Sequence, residues 1–413
     1  FIFMMPSLLT VKDAISLIHE NVTSLNRENV SLFESAGRIL GQSLMADRAL
    51  PPFDRVMMDG FAINSDAWFE GLRKYVVCGQ QMAGHIGATV ESMQECVEVA
   101  TGASLPTGTD IVLPVEWVRR KGDEVVITSP AGVLIESGLF VHRKGSDHAK
   151  GDQLVAGGSI LNPGEVAIAA TCGYKTLTVS RLPVVSILGT GEELVAVEST
   201  PTPFQIRESN IHALSAACVL EGLQPPVVSR APDDREKIRE AVEMLIGTSD
   251  LLIFTGGVSV GRKDYLPDVL ASSGFETIFH GVRQTPGKPL WFGKISDGPI
   301  AFGLPGNPIS AVVGFARYVR LTLNLLQGIR ANVPITAELT EPFDYTPSFT
   351  RFLPVCIQES TSGAMCVQPR PPNNSGDLAA LAGTDGFIEL PEEEKCYPKG
   401  YIAAFFPWRH RGN

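Results

Sequence analysis

From residue 182 onward the chain alternates short apolar runs with amphipathic stretches. VVSIL (184–188) meets the turn GTGEE. PVVS (226–229) precedes an amphipathic stretch from Asp233 to about Leu245. LLIF (251–254) meets TGGVSVG, with a helix expected over 263–272. PIAF (299–302) leads into GLPGNP and a long apolar segment over 308–326. Near-continuous apolar runs of this length suit strands covered on both faces, and 3.6-residue periodicity between them suits the covering helices. The pattern therefore predicts a doubly wound, parallel α/β sheet over 182–328. Ligands on such sheets bind where the carboxyl ends of the strands open into loops.

The flanks differ in character. Over 7–47, Val11, Ala14, Ile15 and Ile18 recur at helical spacing, Ser7 or Thr10 is placed to cap, and a second helix is expected near Leu32. Over 48–143, short β-rich runs are separated by Gly, Pro and Asn, which predicts an inserted all-β region. Residues 144–181 bring glycines and one more helix near 163–172, expected to return onto the first helices. Residues 329–413 turn β-rich again and predict a small barrel or sandwich. With 413 residues, the chain divides into a helical and extended part (6–47 plus 144–181), the insertion (48–143), the α/β domain (182–328) and a C-terminal β-barrel-like domain (329–413).

Thirty-four basic against 45 acidic residues give a net charge of −11, the wrong sign for a nucleic-acid binder, and no dense Lys/Arg run corrects it. Seven scattered cysteines, an odd number without a CxxC pair, argue against a disulfide framework or a structural zinc, and point to a reducing cytoplasm. FIFMMPSLLT is apolar but short and has no basic residue, so it reads as a remnant or alternative start, not a signal peptide. No apolar run is expected to span a membrane.

Five segments carry chemistry. TGGVSVGRKDY (255–265) follows a buried strand and precedes a helix; its glycines let backbone N–H groups close on an anion, although it is neither a Walker A loop nor a GxGxxG fingerprint. Glu192, Glu193, Asp233, Asp234 and Asp264 lie at strand ends, where converging acids need a divalent cation or a proton between them, or else serve as helix caps. TPGKP (285–289) stiffens a turn around Lys288, a cation suited to a phosphate or other oxyanion. In GLPGNP (303–308), Asn307 is placed to cap a helix with Pro308 at its first position. PPFDRVMMDGFA (51–62) holds Asp59 in what otherwise reads as a turn.

These segments, with TGASLPTGTDIVLPVE (101–116), GTGEEL (189–194), ESN (208–210), GLPGNPISA (303–311) and NNSGDLAALAGTDGFIELPE (373–392), resemble the molybdopterin molybdenumtransferase family, which includes the E domain of gephyrin-type proteins. Their order covers nearly the whole chain. The resemblance implies four domains, a homodimer, and a reaction in which adenylylated molybdopterin and molybdate give molybdenum cofactor and AMP with the help of Mg²⁺ or another divalent cation. It carries the family's functional residues onto Asp59, Thr101, Asp147, Glu193, Asp234, Asp264 and Lys288, with Glu193, Asp234 and Asp264 as the metal set. It carries binding roles onto Ser209, Asn210, Gly256, Gly257, Ser259, Gly261, Pro305, Gly306, Asn307, Pro308 and Ser375. It implies that Asp59 and Thr101 act with the α/β loops of the other subunit. The molybdopterin adenylyltransferase and molybdenum-enzyme maturation proteins are the partners it suggests, with no nucleic acid and no membrane.

The chain departs from the family pattern at Val56 (usually Ser), Glu208 (Asp), Thr285 (often basic), Ser146 (an acid) and Asp377 (Met). Two other readings stand beside the transferase. One is a molybdopterin adenylyltransferase, whose α/β domain is of the same type but which needs neither the flanking domains nor the MMDG segment. The other is a divergent member that acts as a molybdopterin-binding scaffold.

Overall fold

The computed structural model describes residues 8–85, 87–128, 130, 133–258, 265–329, 335–346, 349–359 and 363–409. It divides into two compact units, Asn29–Val179, and Phe1–Glu28 with Ser180–Asn413.

The second of these units is built on a six-stranded sheet in the order Val227–Ala231, Val185–Thr190, Leu251–Thr255, Ile300–Leu304, Trp291–Lys294, Glu276–His280. The first four strands are parallel, as the alternation predicts. Alternate side chains serve opposite faces. Val185, Ile187, Leu251, Ile253 and Phe302 pack in the same core as residues of the helix Asn210–Leu220 and of the helical stretch Pro308–Leu326. Leu188, Leu252, Phe254 and Ala301 pack with the helices Arg235–Ile246 and Leu266–Ser272. Two further strands, Trp291–Lys294 antiparallel to Ile300–Leu304 and Glu276–His280 antiparallel to Trp291–Lys294 at the edge, are an addition to the sequence expectation.

Pro308–Leu326 also corrects the expectation about apolar length. It is long and apolar enough to cross a membrane, yet 83% of its apolar window is buried inside the protein. It is a core helix, and its centre, Phe315–Val319, is a π-helical turn.

The C-terminal strands form the expected barrel. They run Thr350–Gln358, Cys366–Pro369, Ile335–Leu339, Ile402–Pro407, Gly386–Leu390, and the last pairs back with the first. Gln284–Thr285, just ahead of Lys288, pairs in parallel with Thr350–Arg351 of this sheet. The PGKP turn thus joins the α/β core to the barrel.

The helical spacing at the N-terminus forms one helix, Val11–Asn21, and 7–47 is not helical throughout. Val11–Asn21 is capped by the Thr10 hydroxyl, which accepts from the Asp13 amide, and it ends where Val22 becomes extended. Val11, Ala14 and Ile18 pack in the same core as Val185 and Ile187. Beyond it stand a strand, Arg27–Ser31, and one 3-10 turn, Leu32–Glu34, in place of a second helix.

In the unit Asn29–Val179, the helix Pro163–Thr171 returns, and its Ala169 packs with Leu40, Leu44 and Leu177. The inserted β region is a six-stranded sheet: Ile111–Pro114, Gly60–Ile63, Glu95–Val99, Lys74–Gln81, Glu124–Ile127, Val118–Lys121.

Candidate functional site

At the carboxyl ends of the parallel strands lies a cleft of about 600 Å³. Strand Val185–Thr190 delivers Thr190, Gly191 and Glu193; Leu251–Thr255 delivers Thr255, Gly256, Gly257 and Val258; Ile300–Leu304 delivers Pro305, Gly306, Asn307 and Pro308; Ser209 and Asn210 begin a helix beside them. Nine of the site residues carried over by the resemblance therefore fall together here, because the parallel topology puts every strand-end loop on one edge. Gly256 has φ +89° and passes so close to Thr190 that a Cβ would meet the Thr190 carbonyl oxygen at 2.4 Å. Glycine is required there on both counts.

Asn210 holds the loops together. Its side-chain amide donates to Thr255 Oγ1 at 2.7 Å and to the Gly306 carbonyl at 2.8 Å. Both amide hydrogens are committed inside the protein, which suits a clamp between strand ends better than a ligand donor. Glu208 is 2% exposed, and its Oε1 accepts from the backbone amides of Asn210 and Ile211. That carboxylate occupies the helix N-terminus which an anion would otherwise use. Buried Glu208 Oε2 and Thr190 Oγ1 have no hydrogen-bond partner among the described residues.

The acids separate by role. Glu193 and Asp233 line the cleft. Asp234 caps the helix Arg235–Ile246, accepting from the Lys237 amide at 3.0 Å, and does not line it. Ser259, Gly261 and Asp264 lie outside the described residues. Among the described residues no three His, Cys, Asp or Glu side chains gather as a ready metal cage.

A second chamber of about 350 Å³ adjoins the first, sharing Pro289, Pro305 and Asn307 with it. Its walls include Lys288, Thr285, Ser310, Ser375 and Arg351, and no carboxylate among the described residues. Arg351 was not legible as a candidate. It stands in an ordinary strand sequence, and only the parallel pairing of Thr285 with Arg351 brings it beside the PGKP turn. Its guanidinium lies 5.3 Å from the Tyr345 ring centroid, burial lowers its pKa from the ordinary value, and its Nε is buried without a partner among the described residues. Lys288 Nζ lies 5.8 Å from the Phe349 ring centroid. Asn307 takes the N-cap position with Pro308 first in the helix, as expected, but its side chain makes no capping bond; its amide instead donates to Ser375 Oγ at 2.7 Å and fixes the wall between the chambers.

In the unit Asn29–Val179, Asp59 is paired with Thr101: its Oδ1 accepts from the Thr101 amide at 2.7 Å and hydroxyl at 2.8 Å, which hold its carboxyl below the usual range. Asp147 is held low first by His142 Nε2 at 2.8 Å. His142 Nδ1 in turn meets Arg55 at 3.1 Å, so a neutral ring with its proton on Nε2 satisfies both neighbours. Both pairs are anchored on the segment 55–59.

Three family models cover the chain. They are described as "MoeA N-terminal region (domain I and II)" over residues 9–173, "Probable molybdopterin binding domain" over 186–324 and "MoeA C-terminal region (domain IV)" over 336–408. A molybdopterin molybdenumtransferase of Synechocystis is 35% identical over 97% of this chain and 100% of that protein. The chain belongs to the MoeA family. A second MoeA relative, the molybdopterin molybdenumtransferase of Staphylococcus epidermidis, is 32% identical over 95% of this chain and 94% of its own. The crystal structure of a molybdopterin biosynthesis moeA protein from Pyrococcus horikoshii superposes with a TM-score of 0.81 at 25% identity, covering 97% of this chain and 100% of that one.

The departures from the MoeA pattern find local accommodation. Val56 is 1% exposed among Ala62, Val97 and Val112, an apolar setting in which a hydroxyl has no evident use. Asp377 accepts from the Asn373 amide and side chain and so closes the loop that carries Ser375. Glu208 reaches the first turn of its helix. Thr285 alone removes a charge from a chamber wall.

Proposed function

We propose that this MoeA-family chain is a molybdopterin molybdenumtransferase: it takes adenylylated molybdopterin and molybdate and yields molybdenum cofactor and AMP. One observation carries the reading, namely two adjoining chambers of opposite character. Among the described residues, the larger has glycine-lined strand ends where the carboxylates Glu193, Glu208 and Asp233 outnumber the one cation, Arg207; the smaller has Lys288 and Arg351 without a carboxylate. The larger suits a nucleotide phosphate with a cation, and the smaller a compact oxyanion.

The donor set fits a hard divalent cation such as Mg²⁺. Among the described residues the larger chamber offers carboxylate and hydroxyl oxygens and no His or Cys, and buried Thr190 Oγ1 and Glu208 Oε2 lack partners. Mg²⁺ commonly takes one or two protein carboxylates together with substrate phosphates, so Glu193 and Asp233 would hold it without a full cage. Asp264, outside the described residues, is the further carboxylate that the family resemblance adds to this proposal. When bound, Mg²⁺ supplies Lewis-acid polarisation of phosphate oxygens. The protein's own work is placement. Lys288 and Arg351 neutralise and orient molybdate, the glycine loop shapes the phosphate end, and the Asn210 and Asn307 bridges keep the chambers in register. The proposal includes the homodimer, a role for Asp59, Thr101 and Asp147, and a cytoplasmic location.

The test is turnover by the purified chain. Adenylylated molybdopterin with molybdate and Mg²⁺ is expected to yield AMP and a cofactor able to reconstitute a molybdenum apoenzyme. Adenylyl transfer from ATP to molybdopterin, with no molybdate-dependent AMP release, would overturn the reading.

A further inference from the structure

We propose that the buried pair Tyr318–Gln284 is a positioning device for Lys288, and that the π-helical turn Phe315–Val319 serves to set Tyr318 in place. The inference rests on the reading of the smaller chamber as an oxyanion site.

Gln284 is 1% exposed and Tyr318 is fully buried. The Gln284 amide donates to the carbonyls of Gly287 at 3.0 Å and Pro286 at 3.4 Å, inside the turn that presents Lys288. Gly287 has φ +93°, and a Cβ there would lie 2.9 Å from Gln284 Nε2, so the amide is packed against the turn. The Tyr318 hydroxyl donates to Gln284 Oε1.

That last bond completes the set that fixes which way the amide points and where it sits. A primary amide can rotate by half a turn and exchange its oxygen and nitrogen with little change of shape. Rotated here, Oε1 would face two carbonyl oxygens. The two carbonyls thus select the productive orientation, and a donor on the far side locks the amide in place against them; burial pushes the Tyr318 phenol up, so it stays protonated as that donor. The turn before Lys288 is then held from beneath by groups that never touch the ligand.

The helix explains how Tyr318 gets there. Pro308–Gly314 and Arg320–Leu326 are α-helical, and the π turn lies between them. A π turn inserts a residue's worth of rotation into the helix. Within it Arg317 pairs with Glu389 of the barrel at 2.6 Å while Tyr318 reaches Gln284. Neighbouring residues therefore brace the two structures that supply the cations of the smaller chamber, the PGKP turn and the barrel that carries Arg351.

The experiment titrates molybdate and AMP separately against the whole chain by calorimetry, for the wild type, Tyr318→Phe, Gln284→Asn and Lys288→Ala. Tyr318→Phe is expected to weaken molybdate binding about tenfold, roughly the value of one charge-assisted contact, and to leave AMP affinity within about twofold, a split that general loosening of the fold does not produce. Gln284→Asn, which keeps the amide and shortens its reach, carries the same expectation should Tyr318→Phe fail to fold. If Lys288→Ala loses molybdate affinity and the folded positioning variants do not, the positioning role is overturned and the oxyanion reading stands. If Lys288→Ala binds molybdate like the wild type, the oxyanion reading fails and takes this proposal with it.

Discussion

At Gly256 a single hydrogen in place of a side chain lets two strand ends close on each other. Gly256→Ala would set a Cβ 2.4 Å from the Thr190 carbonyl and strain a backbone at φ +89°. We expect at least about 2 kcal/mol of lost stability, read as a lower midpoint in thermal or denaturant unfolding; an unchanged midpoint would show that the loop has room. Charge acts at the same scale. The Lys144 amide and then the Arg143 guanidinium hold the Asp54 carboxyl below its usual range. A carboxyl depressed in the folded state adds stability that is present above its unfolded pKa and is lost as pH falls through the folded one. Asp54→Asn should therefore melt lower than the wild type at pH 7, and the gap should close below the ordinary carboxylate pKa of about 4. A gap that persists there would assign the loss to shape. Residue identity made the glycines and Lys288 legible in the sequence. It could not reveal that Asn210 clamps loops or that Arg351 lines a chamber, because both depend on partners 45 to 96 residues away in one case and on strand pairing in the other.

Elements were legible where their periodicity was strong and their length ordinary. The four parallel strands and their helices followed from apolar runs and turns. The strands Glu276–His280 and Trp291–Lys294 did not, since they flank the PGKP motif, where prolines and glycines read as loop. The long helix Pro308–Leu326 was read correctly, but its π turn has no sequence mark. A second ion pair, besides Arg317–Glu389, ties this helix to the rest. Arg320, 7% exposed, bonds Glu221 beyond the helix Asn210–Leu220 at 2.6 Å and donates to the carbonyls of Pro407 and Trp408 at the end of the barrel. Glu221→Ala leaves a guanidinium buried without its carboxylate, and we expect a loss of about 3–5 kcal/mol in chemical denaturation. A loss under about 1 kcal/mol would mean that the carbonyls alone suffice.

At the scale of the whole chain, the order of motifs revealed the family before any geometry did. Two things needed three dimensions. The first helix packs on the α/β core instead of remaining with the N-terminal β-rich region, since amphipathic spacing states that a face is buried but not against what. The site divides into chambers of opposite character, because residues from 190 to 376 meet only after the sheet and barrel have formed. The central claim is that division of labour: the larger chamber takes the nucleotide and Lys288 serves the oxyanion. Lys288→Ala tests it most directly in the molybdate-dependent release of AMP from adenylylated molybdopterin. Removing one charged contact worth about 1.5–3 kcal/mol should raise the molybdate concentration for half-maximal rate by tenfold or more, with the requirement for adenylylated molybdopterin within about twofold of wild type. An unchanged molybdate requirement, or an equal rise for both substrates, would contradict the account.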